Sequence, residues 1–162
     1  MGKTSPIVLL DNTVLSNFSA VQRPDLVRLA VGASASIVQE VLDELKEGVR
    51  RNAIPQVDWS WLPVVSMTDE EQSVYGMLLE RLNKGEAACL AVAMVREGRV
   101  FTDDRDARKI AVEMQIPVSG TLGVLIRLID LRRLAVEDAD HLLDDMIAKG
   151  YFAPIRSLTE IL

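Results

Sequence analysis

Two short apolar runs in this chain stop abruptly at acids. Ile7-Val8-Leu9-Leu10 ends at Asp11-Asn12-Thr13, and Val100-Phe101-Thr102 ends at Asp103-Asp104. Runs this short and this apolar suit strands covered on both faces. Stretches of helical period separate them, and strands alternating with helices imply a parallel sheet flanked by helices. In such sheets ligands bind beyond the carboxyl ends of the strands. Two independent segments therefore place Asp11 and Asp103/Asp104 at one edge. The expected fold class is α/β, with three α/β/α layers around a short central parallel sheet. At 162 residues the chain is a comfortable length for one domain, residues 1–162, and a tight fit for two.

The remaining elements follow from periodicity and caps. Helices are expected over residues 14–20 and from Pro24-Asp25 onward. Ser36 with Gln39 forms a capping-box pattern that opens a helix to about residue 51. Residues 62–67 read as strand or connector. Thr68-Asp69-Glu70-Glu71 is a second capping box, opening a helix to about residue 82. Lys84-Gly85 then interrupts, and Glu86 opens an apolar helix over 87–95 that belongs in the middle of the molecule. A helix over 105–115, a brief strand over 116–118, helices over 122–133 and 137–149, and a short terminal one complete the pattern.

Composition removes several chemistries. One histidine and one cysteine are too few for a zinc site. They also exclude Cys-His and Ser-His-Asp catalysis unless His141 serves alone. A net charge of −6 argues against a broad positive face for nucleic acid. It leaves open a protein that reaches phosphates through bound metal. No run approaches the roughly 18 apolar residues of a membrane helix, and the first apolar segment is too short for a signal peptide. With one cysteine and no internal disulfide, a cytoplasmic protein without a membrane anchor is expected.

The carboxylates remain, and each has an ordinary alternative. Asp11 could cap the helix after it. Glu40 has Asp43, Glu44 and Glu47 three, four and seven positions on, as a solvated helix face would. Glu86 lies three residues after Asn83, where capping also favours an acid. Asp106 follows Thr102 and Asp103 at capping distance. Asp103 and Asp104 are adjacent, so their side chains diverge and one faces inward. Together the alternatives weaken, because Glu40 and Glu86 open helices that begin at the edge holding Asp11 and Asp104. Four converging carboxylates repel one another unless protonated or bound to a cation. A hard divalent ion with oxygen ligands, Mg²⁺ or Mn²⁺, relieves this.

These residues also resemble a family. Asp11-Asn12-Thr13-Val14-Leu15 after a strand is similar to the opening of PIN domains, the nuclease fold of many VapC-like toxins. Ile37-Val38-Gln39-Glu40-Val41 resembles the segment of the second acid, and Gly85-Glu86-Ala87-Ala88 that of the third. Thr102-Asp103-Asp104-Arg105-Asp106-Ala107-Arg108 resembles the fourth, its Thr-x-Asp pattern picking out Asp104. Ser119-Gly120-Thr121-Leu122-Gly123 is similar to a less characterised PIN-like subfamily. The resemblance runs in order from Ile7 to about Arg133. It implies RNA cleavage dependent on Mg²⁺ or Mn²⁺, with Asp11, Glu86 and Asp104 holding metal and Glu40 completing the catalytic set. It also implies supporting roles for Asp103, Asp106 and Thr13, and contact of Arg105 and Arg108 with the RNA backbone.

Two other readings stand beside the nuclease. A catalytically idle PIN-like binding subunit would not need the complete acid set. A phospho-acceptor or phosphatase domain would need a second Asp after the first strand, and only Asp11-x-Thr13 is found. As the toxin of a toxin–antitoxin pair, the chain would be inhibited by a small antitoxin protein inserting a basic residue near Glu40 and Asp104. Leu15, Phe18, Leu26 and Leu29 could form a groove for it, a homodimer interface, or part of the domain's own core. Trp59 and Trp61 read as packing residues, Cys89 and Met94 as core, and His141 as a surface side chain.

Overall fold

The computed structural model describes residues 6–162; Met1–Ser5 lie outside the described residues. Five short strands, β1 (Val8–Leu10), β2 (Ala35–Val38), β3 (Val64–Val65), β4 (Arg99–Phe101) and β5 (Val118–Ser119), form one parallel sheet. Their order is β3-β2-β1-β4-β5. The helices are α1 (Asn12–Ala20), α2 (Pro24–Val31), α3 (Gln39–Arg50), α4 (Asp69–Leu78), α5 (Lys84–Val95), α6 (Arg105–Glu113), α7 (Thr121–Asp130) and α8 (Val136–Ala148). A 3-10 turn, Leu158–Glu160, closes the chain. This is the α/β fold with a short central parallel sheet expected from the sequence.

The chain steps outward from β1 through β2 to β3, then returns to place β4 on the other side of β1. The topological switch point therefore lies between β1 and β4, where such sheets open a crevice. Leu10 pairs with Phe101, so the two strands end level. The Asp11 N–H donates to the Phe101 carbonyl at 2.9 Å, which fixes Asp11 and Thr102 side by side at that edge.

Helix α5 packs on β1, β2 and β4 and against α3, α4 and α6. Every residue from Gly85 to Ala93 is buried, as its unbroken apolar composition requires. At its far end Arg96 forks onto the fully buried Glu71, with Nε–Oε2 2.7 Å and NH2–Oε1 3.0 Å. Glu71 also closes the Thr68 capping box of α4. On the other side α2 packs against α7, and α8 against α1 and α7. Among the described residues no helix is long and apolar enough to cross a membrane.

Three local expectations are corrected. Ser36 does not cap a helix; it sits in β2 opposite Leu9, and α3 begins at Gln39 after a Val38 that makes no side-chain cap. The strand wins because Ala35, Ser36, Ile37 and Val38 are buried on both faces. Lys84-Gly85 does not interrupt: Asn83 caps α5, and Gly85 lies in its first turn. Met94, expected in the core with Cys89, is 49% exposed, at the end of α5 where the helix leaves its neighbours. Leu15, Phe18 and Leu26 fill the domain's own core, one of the alternatives the sequence left open, and Leu29 is exposed. The tryptophans pack: Trp59 Nε1 donates to Ser19 Oγ at 2.9 Å, and Arg28 lies 5.8 Å over the Trp61 ring.

Candidate metal centre

Four elements deliver acids to the switch point. Asp11 follows β1 and is 2% exposed. Its Oδ2 accepts from Thr102 Oγ1 at 2.7 Å and from Thr13 Oγ1 at 3.0 Å. The same hydroxyls accept the next strand end: Thr102 Oγ1 from the Asp104 N–H and Thr13 Oγ1 from the Asp103 N–H. Two threonines thus bind the loops after β1 and β4 into one unit. Burial pushes the Asp11 carboxyl up, against the pull of these bonds. Glu86 is steadied by Asn83, whose Nδ2 donates to Oε1 at 2.7 Å. Asp104 caps α6, its Oδ2 accepting from the Ala107 N–H at 2.9 Å.

Helix α3 brings Glu44 beside them. Its carboxylate lies against Gly85, where a Cβ would collide with Glu44 Oε1. Burial and then the charge of Asp11 push Glu44 up to about 7. Glu86 rises to about 7 through burial, then Asp104 and Asp11, opposed by the Asn83 backbone, with Glu44 last. Asp11, Glu44, Glu86 and Asp104 therefore share one field. Beneath them Cys89 is fully buried, and burial followed by Asp11, Glu44, Glu40 and Glu86 pushes its thiol well up. A thiol held protonated in this way is no nucleophile.

Glu40 is one turn earlier on α3 and is placed differently. After burial, its charge is what raises the Tyr75 hydroxyl, and its Oε2 is buried without a hydrogen-bond partner. With Asn12, Glu44 and Lys84 it lines a cavity of about 560 Å³ beside the cluster. Glu40 and Glu44 thus both line the cavity beside Asp11 and Glu86, Glu44 against Gly85 and Glu40 toward Tyr75.

Asp103 turns away from the cluster. Its Oδ1 accepts from the Thr121 N–H at 2.8 Å, and its Oδ2 from Thr121 Oγ1 and Asn17 Nδ2. Gly120 leaves it room, since a Cβ there would meet Asp103 Oδ1. The Gly120-Thr121 pair is therefore the socket that ties α7 to the loop after β4. Arg108 also points inward: its NH1 donates to the Thr102 carbonyl at 3.0 Å, and its charge faces Asp103. Arg105 and Asp106 are exposed on the first turn of α6. Thr102, Asn83 and Glu44 border the acid edge and were not among the residues expected there from the sequence. Of these, Thr102 and Asn83 did carry a signal, each lying two or three residues before an acid.

Among the described residues, no three acids, histidines or cysteines stand close enough to enclose an ion with their side chains as placed. The donor chemistry nevertheless fits a hard divalent cation. Four oxygen donors repel one another, two have been pushed to about 7, and an acid oxygen beside them is buried unpaired. A cation relieves all three costs.

The raised acids set a pH dependence for the metal-free chain. Glu44 and Glu86 titrate from 4.5 unfolded to about 7 folded, so they favour the fold when protonated. That contribution is full below about pH 4.5 and is lost as pH climbs through about 7. Asp25 and Glu71, held low by arginines, act in the acid range below this window. Calorimetry in EDTA should therefore show the melting temperature falling between about pH 5 and pH 8. Glu44→Gln should flatten the slope; a native curve flat or rising across that range contradicts the geometry.

A family model described as PIN domain matches residues 7–162. No curated protein matches the chain. Among solved structures, the crystal structure of PAE2754 from Pyrobaculum aerophilum aligns with a TM-score of 0.57 and 18% identity, covering 78% of this chain and 99% of that one. At that identity the likeness speaks for the fold.

Proposed function

This chain belongs to the PIN-domain family, and on that premise we propose that it is a divalent-metal-dependent ribonuclease with the acid edge as its active site. PIN domains have a nuclease-type fold. The observation that carries the reading is the arrival of Asp11, Glu44, Glu86 and Asp104 from four elements at one switch point, with Glu44 and Glu86 pushed to about 7.

Asp11, Glu86 and Asp104 would hold Mg²⁺ or Mn²⁺, and Glu44 completes the set. A bound ion supplies a water of lowered pKa and screens charge at the scissile phosphate. The chain supplies position. Thr102 and Thr13 orient Asp11, Asn83 orients Glu86, and the N-terminus of α6 holds Asp104. Glu44 orients the attacking water, and Arg105 is exposed for the RNA backbone.

A labelled single-stranded RNA should be cut in Mg²⁺ or Mn²⁺ and left intact in EDTA. Cleavage that persists in EDTA, or none with either ion, removes the reading. We propose further that the chain is the toxic half of a toxin–antitoxin pair, a role that can fail while the nuclease reading stands. Expression in its native host should then arrest growth, and Asp11→Asn should relieve the arrest.

A further inference from the structure

Thr102 is held at every polar atom. Its N–H donates to the Ser119 carbonyl at 2.8 Å. Its hydroxyl donates to Asp11 and accepts from the Asp104 N–H, so both acids hang on one oxygen. Its carbonyl accepts from Arg108 NH1 at 3.0 Å. Arg108 stands one turn into α6, and its own N–H donates to the Asp104 carbonyl at 3.0 Å. The guanidinium thus reaches back over the helix start and closes residues 102–108 into a ring. The sequence resemblance puts Arg105 and Arg108 together on the RNA backbone. The structure sets them apart, with Arg105 exposed and Arg108 half-buried.

A second grip holds the next residue. The Asp103 carboxylate accepts from the Thr121 N–H at 2.8 Å, from the Thr121 hydroxyl, and from Asn17 Nδ2 at 3.1 Å. Asn17 Nδ2 also donates to Thr121 Oγ1 at 3.1 Å. The two grips meet at Gly120, where a Cβ would run into Asp103 Oδ1, Arg108 NH1 and the Thr102 carbonyl oxygen together. Thr121 is fully buried, so no bound strand can touch it. All these bonds reach Thr102-Asp103 from the side to which Asp103 turns, away from the acid cluster. On the other side the Asp103 N–H donates to Thr13 Oγ1, which in turn donates to Asp11. A metal site tolerates little error in its ligands, and partners that orient those ligands are worth roughly 10- to 100-fold in affinity.

We infer that Arg108 and Thr121 are positioning residues of the cation site, holding Thr102-Asp103 from the rear so that Asp11 and Asp104 present their carboxylates in fixed register. Arg108 acts on the metal ligands through the Thr102 carbonyl, and not on RNA. The inference rests on reading the acid edge as a cation site, and goes beyond it by giving these two side chains a task there.

The test reads Mn²⁺ affinity directly, from the paramagnetic resonance signal of the free ion, on folded chains well below their melting temperatures. Arg108→Gln and Thr121→Val should each weaken Mn²⁺ binding roughly 10- to 100-fold. Arg108→Lys, which keeps a cationic donor for the Thr102 carbonyl, should bind Mn²⁺ as the native chain does. Thr121→Val removes one hydroxyl and keeps the backbone bond to Asp103, so it carries the test if Arg108→Gln does not fold. At saturating Mn²⁺ the KM for a labelled single-stranded RNA should be unchanged in both. Native Mn²⁺ affinity in Arg108→Gln with a raised KM overturns the proposal, by assigning the guanidinium to the RNA backbone. Lower melting temperatures with native Mn²⁺ affinity also overturn it, by assigning the network to the fold alone. A native chain that binds no Mn²⁺ removes the cation site itself, whereas binding that neither variant alters removes this proposal alone.

Discussion

Asp11→Asn is expected to lower RNA cleavage about a thousandfold, the several kcal/mol of transition-state stabilisation that a lost metal ligand costs. It should do so without loosening the fold. The amide oxygen still accepts from Thr102 and Thr13, so the tie between the loops after β1 and β4 survives. The charge removed is one that burial disfavours, and its removal also relieves Glu44 and Glu86, which feel it directly. In EDTA at neutral pH the variant should therefore melt at the native temperature or above it. A variant that loses activity and also melts several degrees lower would show that Asp11 serves the fold, and its inactivity would then say nothing about a metal.

The second large effect separates two acids on one helix. Glu44→Gln should lower cleavage by about two to three orders of magnitude, as loss of a group at the reacting centre does. Glu40→Gln should cost about tenfold or less, the lower end of what supporting residues contribute. Glu44 lies against Gly85 in the field of Asp11, whereas Glu40 acts on Tyr75, though both line the adjoining cavity. Measured kcat for both variants, with melting curves as controls, decides the matter. If Glu40→Gln is the more damaging, Glu40 is the second acid, as the sequence leads one to expect.

That pair also shows where the sequence stopped being informative. The edge itself was legible, because a buried strand that ends on an acid announces both its boundary and its polar end, as Leu10-Asp11 and Phe101-Thr102-Asp103 do. The choice between Glu40 and Glu44 was not, since residues four apart share a helix face. Gly85 makes room for Glu44, and no periodicity connects residues 44 and 85. Strand β2 was hidden for a similar reason: Ser36 and Gln39 have capping-box spacing, and only the pairing with β1 outweighs it. Adjacent Asp103 and Asp104 had to diverge, but the direction of each depended on Gly120-Thr121, which receives Asp103. The Thr102-x-Asp104 pattern picks out Asp104, which caps α6 and whose charge reaches Glu86.

The central claim, that the acid edge is a cation site, is tested most directly by Mn²⁺-dependent thermal shifts of the native chain, Asp11→Asn and Glu86→Gln. At a hundredfold excess over its Kd, Mn²⁺ should stabilise the native chain by about 2.7 kcal/mol, a rise of roughly 5–10 °C in Tm. Both variants should shift far less at the same concentration. Equal shifts in all three proteins would place the ion elsewhere, and no shift in the native chain would leave the acids without a cation to hold.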